Sequence, residues 1–331
     1  MKRAKVLCTQ AMDPVGEALL KEAADVVVAP DARPDTLRQL ADSADFLVVR
    51  NQLPADAFDH ARRLLGVVRH GTGLDFIPVE AATEKQIAVA NVPGANAQAV
   101  AEYTVGAMLN LTRRLNRNER ALRERGWDEA RKLVAGAGEL QGATLGIVGV
   151  GAIGAAIARI CSLGFGMRVL GYQRRMDALP GYVQGATLEQ LFANSDFIAL
   201  ACPLTPETRH LVNAGRLAAM KPGAYLVNAA RGAVIDEAAL LAALKTGPLA
   251  GAALDVFEQQ PLPREHAFLQ QENLLLSSHV AGITQPSTRK MSIGTAEQIL
   301  AMLKGEAPAH LVNPQAWDGF LQRLHAFHSS P

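Results

Sequence analysis

The sequence predicts an α/β protein of two domains, each built on a mainly parallel sheet. Three observations carry that expectation. The chain has 331 residues, enough to bury two ordinary cores. Short β-branched runs alternate with longer helical patterns along most of its length. One glycine-rich segment, GVGAIG from Gly149 to Gly154, stands between an apolar strand pattern and a helical one, as a doubly wound nucleotide-binding sheet requires.

The first series of strand patterns is KVLC at 5–8, DVVV at 25–28, FLVV at 46–49, GVVRH at 66–70 and IAVAN at 87–91. Residues 97–125 then read as one long helix, with Val100, Tyr103, Thr104, Ala107, Met108 and Leu111 at helical spacing and charge gathering towards Arg125. At 1.5 Å per residue such a helix would run roughly 40 Å, far enough to leave one domain and enter another. A second series follows: TLGIVG at 144–149, RVLGY at 168–172, DFIAL at 196–200, AYLVN at 224–228, GAALDV at 251–256 and NLLLS at 273–277. Six strands with helices between them fit a doubly wound sheet. The helical stretch 286–304 comes after that sheet is complete, and the tail to Pro331 is too short for a domain. Both are expected to pack on the N-terminal domain and make it discontinuous. Repeats and low-complexity segments are absent.

Bulk properties exclude several function classes. Lys+Arg of 33 against Asp+Glu of 32 leaves a net charge of +1, too little field to hold nucleic acid. The start, MKRAKVLCTQAMDP, offers only a two-residue apolar run before Cys8 and Thr9, and no later stretch approaches 18 uninterrupted apolar residues. A cytoplasmic protein with no membrane partner is expected. Cys8, Cys161 and Cys202 are widely spaced, lack CxxC pairing and sit in apolar segments, which reads as reduced packing residues and no metal site.

The glycine loop assigns a task to each of its positions. Gly149 permits the tight turn, Gly151 lets a pyrophosphate approach the backbone, and Gly154 lets helix and strand pack closely, with Ala152 and Ile153 opening the helix between them. An acidic residue about 20 positions on would bind the adenosine ribose hydroxyls. Here the second strand ends at Gln173, followed by Arg174 and Arg175. A carboxylate would repel a 2′-phosphate, whereas two guanidinium groups can bind it. NADP(H) is therefore favoured, with NAD(H) still possible.

Six ordered motifs extend this reading: HGTGLDFIPVEAATEKQIAVANVPGANAQAVAEYTVG (70–106), GVGAIG, CPLTPETRHLVN (202–213), MKPGAYLVNAARGAVIDEAAL (220–240), GAALDVFEQQPLP (251–263) and SSHVAGIT (277–284). Over residues 45–305 the chain resembles the D-isomer-specific 2-hydroxyacid dehydrogenases. That resemblance implies a Rossmann doubly wound nucleotide-binding domain over 99–286. It also implies a discontinuous flavodoxin-like α/β substrate domain over 1–98 and 287–331.

The resemblance implies roles residue by residue. Arg231 matches the arginine that grips the substrate carboxylate and polarises its carbonyl, and His279 matches the acid/base. Asp255 corresponds to the aspartate that orients the nicotinamide carboxamide. Ala229, Ala230, Ala281 and Gly282 match positions lining the nicotinamide and its ribose, while Cys202, Pro203 and Thr208 match the loop under the adenosine. Arg50, Asn51, Gly71, Thr72, Gly73 and Asn96 lie on loops matching the substrate side. One departure stands out: Gln260 occupies the place where the family carries a glutamate that pairs with the histidine, and the nearby Glu258 is two residues away.

These matches imply hydride transfer between a nicotinamide and a small 2-keto or D-2-hydroxy acid of the glyoxylate or hydroxypyruvate type. Two alternatives stay open. Gln260 and Asn96 also suit a formate dehydrogenase, and corepressors that sense a dinucleotide keep residues like Arg231 and His279. By analogy with the family, a homodimer formed through the nucleotide domain is expected.

Overall fold

The computed structural model describes residues 3–329. Met1 and Lys2, the start of the segment read for a leader, and the last two residues of the tail lie outside them. The chain forms two compact units, one running to Asn96 and resuming at Ile283, the other Ala97–Gly282.

The first unit holds strands β1 (Ala4–Cys8), β2 (Ala24–Val28), β3 (Phe46–Val49), β4 (Gly66–Arg69) and β5 (Ala88–Ala90). They form one parallel sheet in the order β2-β1-β3-β4-β5, the flavodoxin-like order. The central strand β3 reads FLVV and is buried at every position, because a parallel strand covered on both faces has no solvent side. Edge strand β2 instead exposes Val27 and Val28. Apolar clusters cover both faces, one of them built with residues of the returning helices Gln285–Leu303 and Trp317–Ser329.

The returning segment is tied to the sheet by Asn313, which is 2% exposed. Its Oδ1 accepts from Val89 N at 2.7 Å, and its Nδ2 donates to Ile87 O and to Thr83 Oγ1, each at 2.9 Å. With the backbone bonds Val312 N to Val89 O and Asn91 N to His310 O, this side chain lets the returning segment stand in for a neighbouring strand along the edge of β5.

In the second unit the strands are β6 (Thr144–Val148), β7 (Arg168–Tyr172), β8 (Gln184–Gly185), β9 (Phe197–Leu200), β10 (Tyr225–Asn228), β11 (Gly251–Leu254) and β12 (Leu274–Leu276). All pair in parallel, in the order β12-β11-β10-β9-β6-β7-β8. The direction of winding reverses between β6 and β9, which marks the carboxyl ends of those strands as the ligand crevice of a doubly wound sheet. Strand β8 is a seventh strand beyond the six expected; two exposed residues carry no periodicity to read.

The single helix expected over 97–125 is instead two, Ala97–Arg113 and Leu115–Arg125, and a third helix, Trp127–Leu133, follows. Arg114 breaks it by taking a left-handed conformation, φ +55°. Its guanidinium donates to Leu133 O at 2.7 Å and Ala135 O at 3.2 Å, so the chain folds back on itself. The whole region therefore stays within one unit rather than passing from one domain to the other. All three cysteines are free and buried. Burial pushes the Cys8 and Cys161 thiols up to about 12 and Cys202 up to about 11, so none is a ready nucleophile.

Replacing Asn313 with alanine strands Val89 N and Ile87 O in a buried edge, at about 1–3 kcal/mol for each unsatisfied group. Urea titration should therefore show the Asn313→Ala protein less stable by about 2 kcal/mol or more, and an unchanged midpoint would contradict the tie.

Candidate active site

The glycine loop leaves β6 at its carboxyl end. Gly149 has φ +94°, and a Cβ there would come within 2.7 Å of Cys202 N. At Gly154 a Cβ would meet Gly149 O at 2.1 Å, whereas at Gly151 it would meet nothing within 4 Å. The turn thus closes tightly on itself and leaves open space at Gly151, which caps the helix Ala152–Arg159. Amides at a helix N-terminus facing open space form a pyrophosphate cradle, so the residues present fit a dinucleotide.

Past the end of β7, Gln173 donates through Nε2 to Arg175 O at 2.8 Å, which ties off the turn carrying Arg174 and Arg175. Glu207, on the loop after β9, is held below the usual carboxylate range by the Thr205 hydroxyl and its own backbone, with a smaller contribution from the Arg174 charge. On the same loop Thr208 accepts from Thr205 N at 2.7 Å and donates to Pro203 O at 2.7 Å.

Three adjacent strands end in a linked set of polar groups. Buried Asn228 accepts from Ala230 N at 3.0 Å and donates to Arg231 O at 2.9 Å, shaping the turn that presents Arg231. Ala229 lies inside that turn, and Arg231 Nη1 donates to Ala230 O at 2.7 Å. A Cβ on Gly232 would lie 1.9 Å from Phe257 C and 2.3 Å from Glu258 N. Only glycine lets the Arg231 loop seat on the backbone that leads to Gln260.

His279 follows β12 with φ +58°, a left-handed conformation costing about 1–2 kcal/mol for a residue with a Cβ. The turn is held by Asp255, which is 1% exposed. Asp255 O accepts from His279 N at 2.8 Å, Oδ1 from Val280 N at 2.8 Å, and Oδ2 from Ala281 N at 2.8 Å. The sequence assigns Asp255 only to the cofactor. The geometry adds a second task, support of the histidine turn through Ala281 and its neighbours.

Gln260 Oε1 lies 2.9 Å from His279 Nδ1, while Gln260 Nε2 donates to Phe257 O at 3.1 Å. Because Phe257 O can only accept, the amide is oriented, and Nδ1 must carry the hydrogen that Oε1 receives. Glu258 pairs with His210 Nε2 and its backbone amide donates to Glu237 Oε1 at 2.9 Å. Glu258 is therefore committed elsewhere, and Gln260 is the side chain at the ring.

In the first unit, the substrate-side candidates stand at the carboxyl ends of β3, β4 and β5. Thr9 Oγ1 accepts from Arg50 N at 2.8 Å and Asn51 N at 3.2 Å, and the Arg50 side chain donates to Ala11 O. The Gly71–Gly73 loop is braced by Arg69, whose Nε donates to Gly73 O at 3.1 Å and whose Nη1 donates to Val49 O and His70 O. Thr72 O accepts from Asn91 Nδ2 at 2.8 Å. The side-chain oxygens of Asn51 and Asn96 are buried with no hydrogen-bond partner among the described residues. His70 is held down to about 3 by burial and the nearby Arg50 and Arg69 charges; neutral and 2.8 Å from Ser292 Oγ, it serves structure rather than proton transfer.

Sequence reasoning passed over Arg69, Tyr103, Asn228 and Ser277. The contacts of Tyr103 and Ser277 come from strand pairing and helix placement, which no local motif reports, whereas Asn228 ties its own turn at Ala230 and Arg231. Among the described residues no group of three or more His, Cys, Asp or Glu could hold a metal ion, and no helix is long and apolar enough to cross a membrane.

A doubly wound sheet with this cradle and these strand-end groups defines a nicotinamide-dependent oxidoreductase. The family model for the NAD-binding domain of D-isomer-specific 2-hydroxyacid dehydrogenases matches residues 105–281. A glyoxylate reductase from Thermofilum pendens is 39% identical over 327 residues, 95% of this chain and 96% of the relative. A D-3-phosphoglycerate dehydrogenase from Methanocaldococcus jannaschii is 38% identical over 315 residues, 93% of this chain but 59% of that longer protein. The solved structure of an NADPH-dependent glyoxylate/hydroxypyruvate reductase from Sinorhizobium meliloti matches with a TM-score of 0.82 at 31% identity, covering 95% of this chain and 98% of that one. The chain belongs to the D-isomer-specific 2-hydroxyacid dehydrogenase family and transfers a hydride between a nicotinamide and a 2-keto or 2-hydroxy acid.

Proposed function

We propose that this enzyme reduces a small 2-keto acid, glyoxylate or hydroxypyruvate, using NADP(H) in preference to NAD(H), with Arg231 and His279 as the catalytic residues. The observation that carries the reading is the seating of Gly232 on the Phe257–Glu258 backbone. It joins the Arg231 loop to the loop whose Gln260 holds His279.

When bound, the nicotinamide supplies or receives the hydride. The glycine cradle from Gly149 to Gly154 would hold its pyrophosphate, and Ala229, Ala230, Ala281 and Gly282 would border the nicotinamide end, with Asp255 facing the carboxamide. Cys202, Pro203 and Thr208 would lie under the adenosine. Arg231 offers a planar fork for a carboxylate, which fixes the acid and withdraws charge from the adjacent carbonyl. Because Gln260 keeps the hydrogen on Nδ1, Nε2 is the nitrogen that gives a proton to the carbonyl oxygen in reduction and takes it back in oxidation. In the first unit, the family resemblance gives Arg50 and the backbone of Gly71, Thr72 and Gly73 a substrate-side role. The buried amide oxygens of Asn51 and Asn96 would accept from a donor such as the hydroxyl of hydroxypyruvate.

Relatives named for glyoxylate and hydroxypyruvate reduction support this substrate class. Assay of the purified protein against a panel of 2-keto acids tests it directly. Glyoxylate or hydroxypyruvate should give the highest kcat/KM, and NADPH should outperform NADH. The double change Arg174→Ala plus Arg175→Ala should weaken NADPH selectively by about 1.5–3 kcal/mol, roughly tenfold to a hundredfold. Equal efficiency with both cofactors, unaltered by the mutations, would refute the preference.

His279→Ala should lower kcat by about 10²- to 10⁴-fold while cofactor affinity survives. Gln260→Glu places a carboxylate at Nδ1 and stabilises the imidazolium, so the proton donor persists to higher pH. The falling limb of kcat/KM for reduction should move up by about one unit, and the rising limb for oxidation should move with it. A limb that stays or moves down in a folded, active variant would remove Gln260 from the proposal.

We place the enzyme in the cytoplasm as a homodimer. Helices Leu115–Arg125 and Trp127–Leu133 expose Leu115, Leu122 and Trp127, the last at 65%, an apolar surface suited to a second copy. Light scattering should give about twice the chain mass of 35.2 kDa, and a value near the chain mass at micromolar concentration would overturn the dimer.

A further inference from the structure

The His279 turn is braced from behind by a chain of hydroxyl groups that begins on a different element. Ser277 Oγ donates to Asp255 Oδ1 at 2.5 Å, and the Tyr103 hydroxyl lies 2.6 Å from Ser277 Oγ. A serine hydroxyl has one proton, and here it is given to a carboxylate that can only accept. Tyr103 must therefore be the donor to Ser277, and the chain runs in one direction, Tyr103 to Ser277 to Asp255. Burial above all, with a further contribution from the Asp255 charge, raises the Tyr103 pKa against the lowering effect of Ser277, so the phenol keeps the proton it donates.

Asp255 Oδ1 takes the Ser277 proton and the Val280 amide together, and Oδ2 takes the Ala281 amide. A carboxylate rotated about its χ2 bond would lose at least one of these. The hydroxyl chain removes that freedom, because Ser277 sits on the strand end beside Asp255 and Tyr103 sits on the helix Ala97–Arg113 packed against the sheet.

We propose that Tyr103 and Ser277 are positioning residues for His279, locking the Asp255 carboxylate in the one orientation that holds Val280 and Ala281 and so keeps His279 in its left-handed turn. This rests on the reading of His279 as the acid/base. Displacing a proton donor by a fraction of an ångström slows the step that uses it and leaves ground-state binding nearly intact.

The test is a set of double-mutant cycles. Tyr103→Phe, Ser277→Ala and Ser277→Thr are each made in the native enzyme and in His279→Ala, with kcat and KM for glyoxylate measured alongside the Kd of NADPH by fluorescence. Ser277→Ala should lower kcat about tenfold and Tyr103→Phe about threefold, with KM and Kd changed by less than about twofold. Ser277→Thr, which keeps the hydroxyl, should restore kcat. In the His279→Ala background neither Tyr103→Phe nor Ser277→Ala should cost more. The proposal is overturned by losses of the same size in that background, by a loss that falls on Kd instead of kcat, or by a Tyr103→Phe enzyme with native kcat, the last being informative even where Ser277→Ala fails to fold. A His279→Ala enzyme of native turnover would instead refute the acid/base reading, and this proposal with it.

Discussion

A parallel sheet covered on both faces admits polar groups only where its strands stop. In the second unit that constraint sorts the sequence: β9, β11 and β12 read as apolar runs, and the polar residues of the site stand at the last position of β10, Asn228, and one position past β11 and β12, at Asp255 and Ser277. The ladder itself continues into the loops, since Asp255 N donates to Asn228 O, Ser277 N to Leu254 O and His279 N to Asp255 O. The groups assigned to chemistry therefore inherit the stiffness of the sheet, which is what a reaction sensitive to sub-ångström placement needs. The buried Asp255 carboxylate completes this arrangement, because it satisfies two amides and a hydroxyl at a point where water is excluded.

The supporting loops divide their work between charged and neutral groups. Glu258 and Glu237 anchor the segment after β11 through His210, His266 and a backbone amide. Gln260, two residues on, contributes orientation without charge. A carboxylate at that point would both orient the ring and stabilise its charged form, so the amide separates two effects that a glutamate combines. Gly232 brings this segment and the Arg231 loop into direct backbone contact, so the arginine and the histidine are set by the same packing interface.

Much of this was readable in the sequence for physical reasons that can be named. Buried parallel strands are apolar runs, so β3, β6 and β9 stand out without further help, and GVGAIG signals both a turn and a helix start. The break at Arg114 was not readable, because LTRRLNRN carries no Gly or Pro to mark a stop; the left-handed residue goes with a guanidinium reaching carbonyls some twenty residues on. Strand β8 was too short to show a period. Gln260 was identifiable as a departure, but the direction of its amide depends on Phe257 O. Tyr103 reads as one more apolar position on a helix face, and only the placement of that helix against β12 gives its hydroxyl a partner.

The interrupted course of the first unit also bears on how the protein is made. Its edge strand β5 is capped by Asn313, and part of its core is supplied by helices that follow residue 283. A ribosome delivers the continuous second unit in full before those helices emerge. During synthesis the early strands must therefore wait with one face and one edge uncovered while the later unit folds. The exposed backbone of β5 is the place where a nascent chain would be vulnerable to pairing with another, until the segment His310–Asn313 arrives to close it.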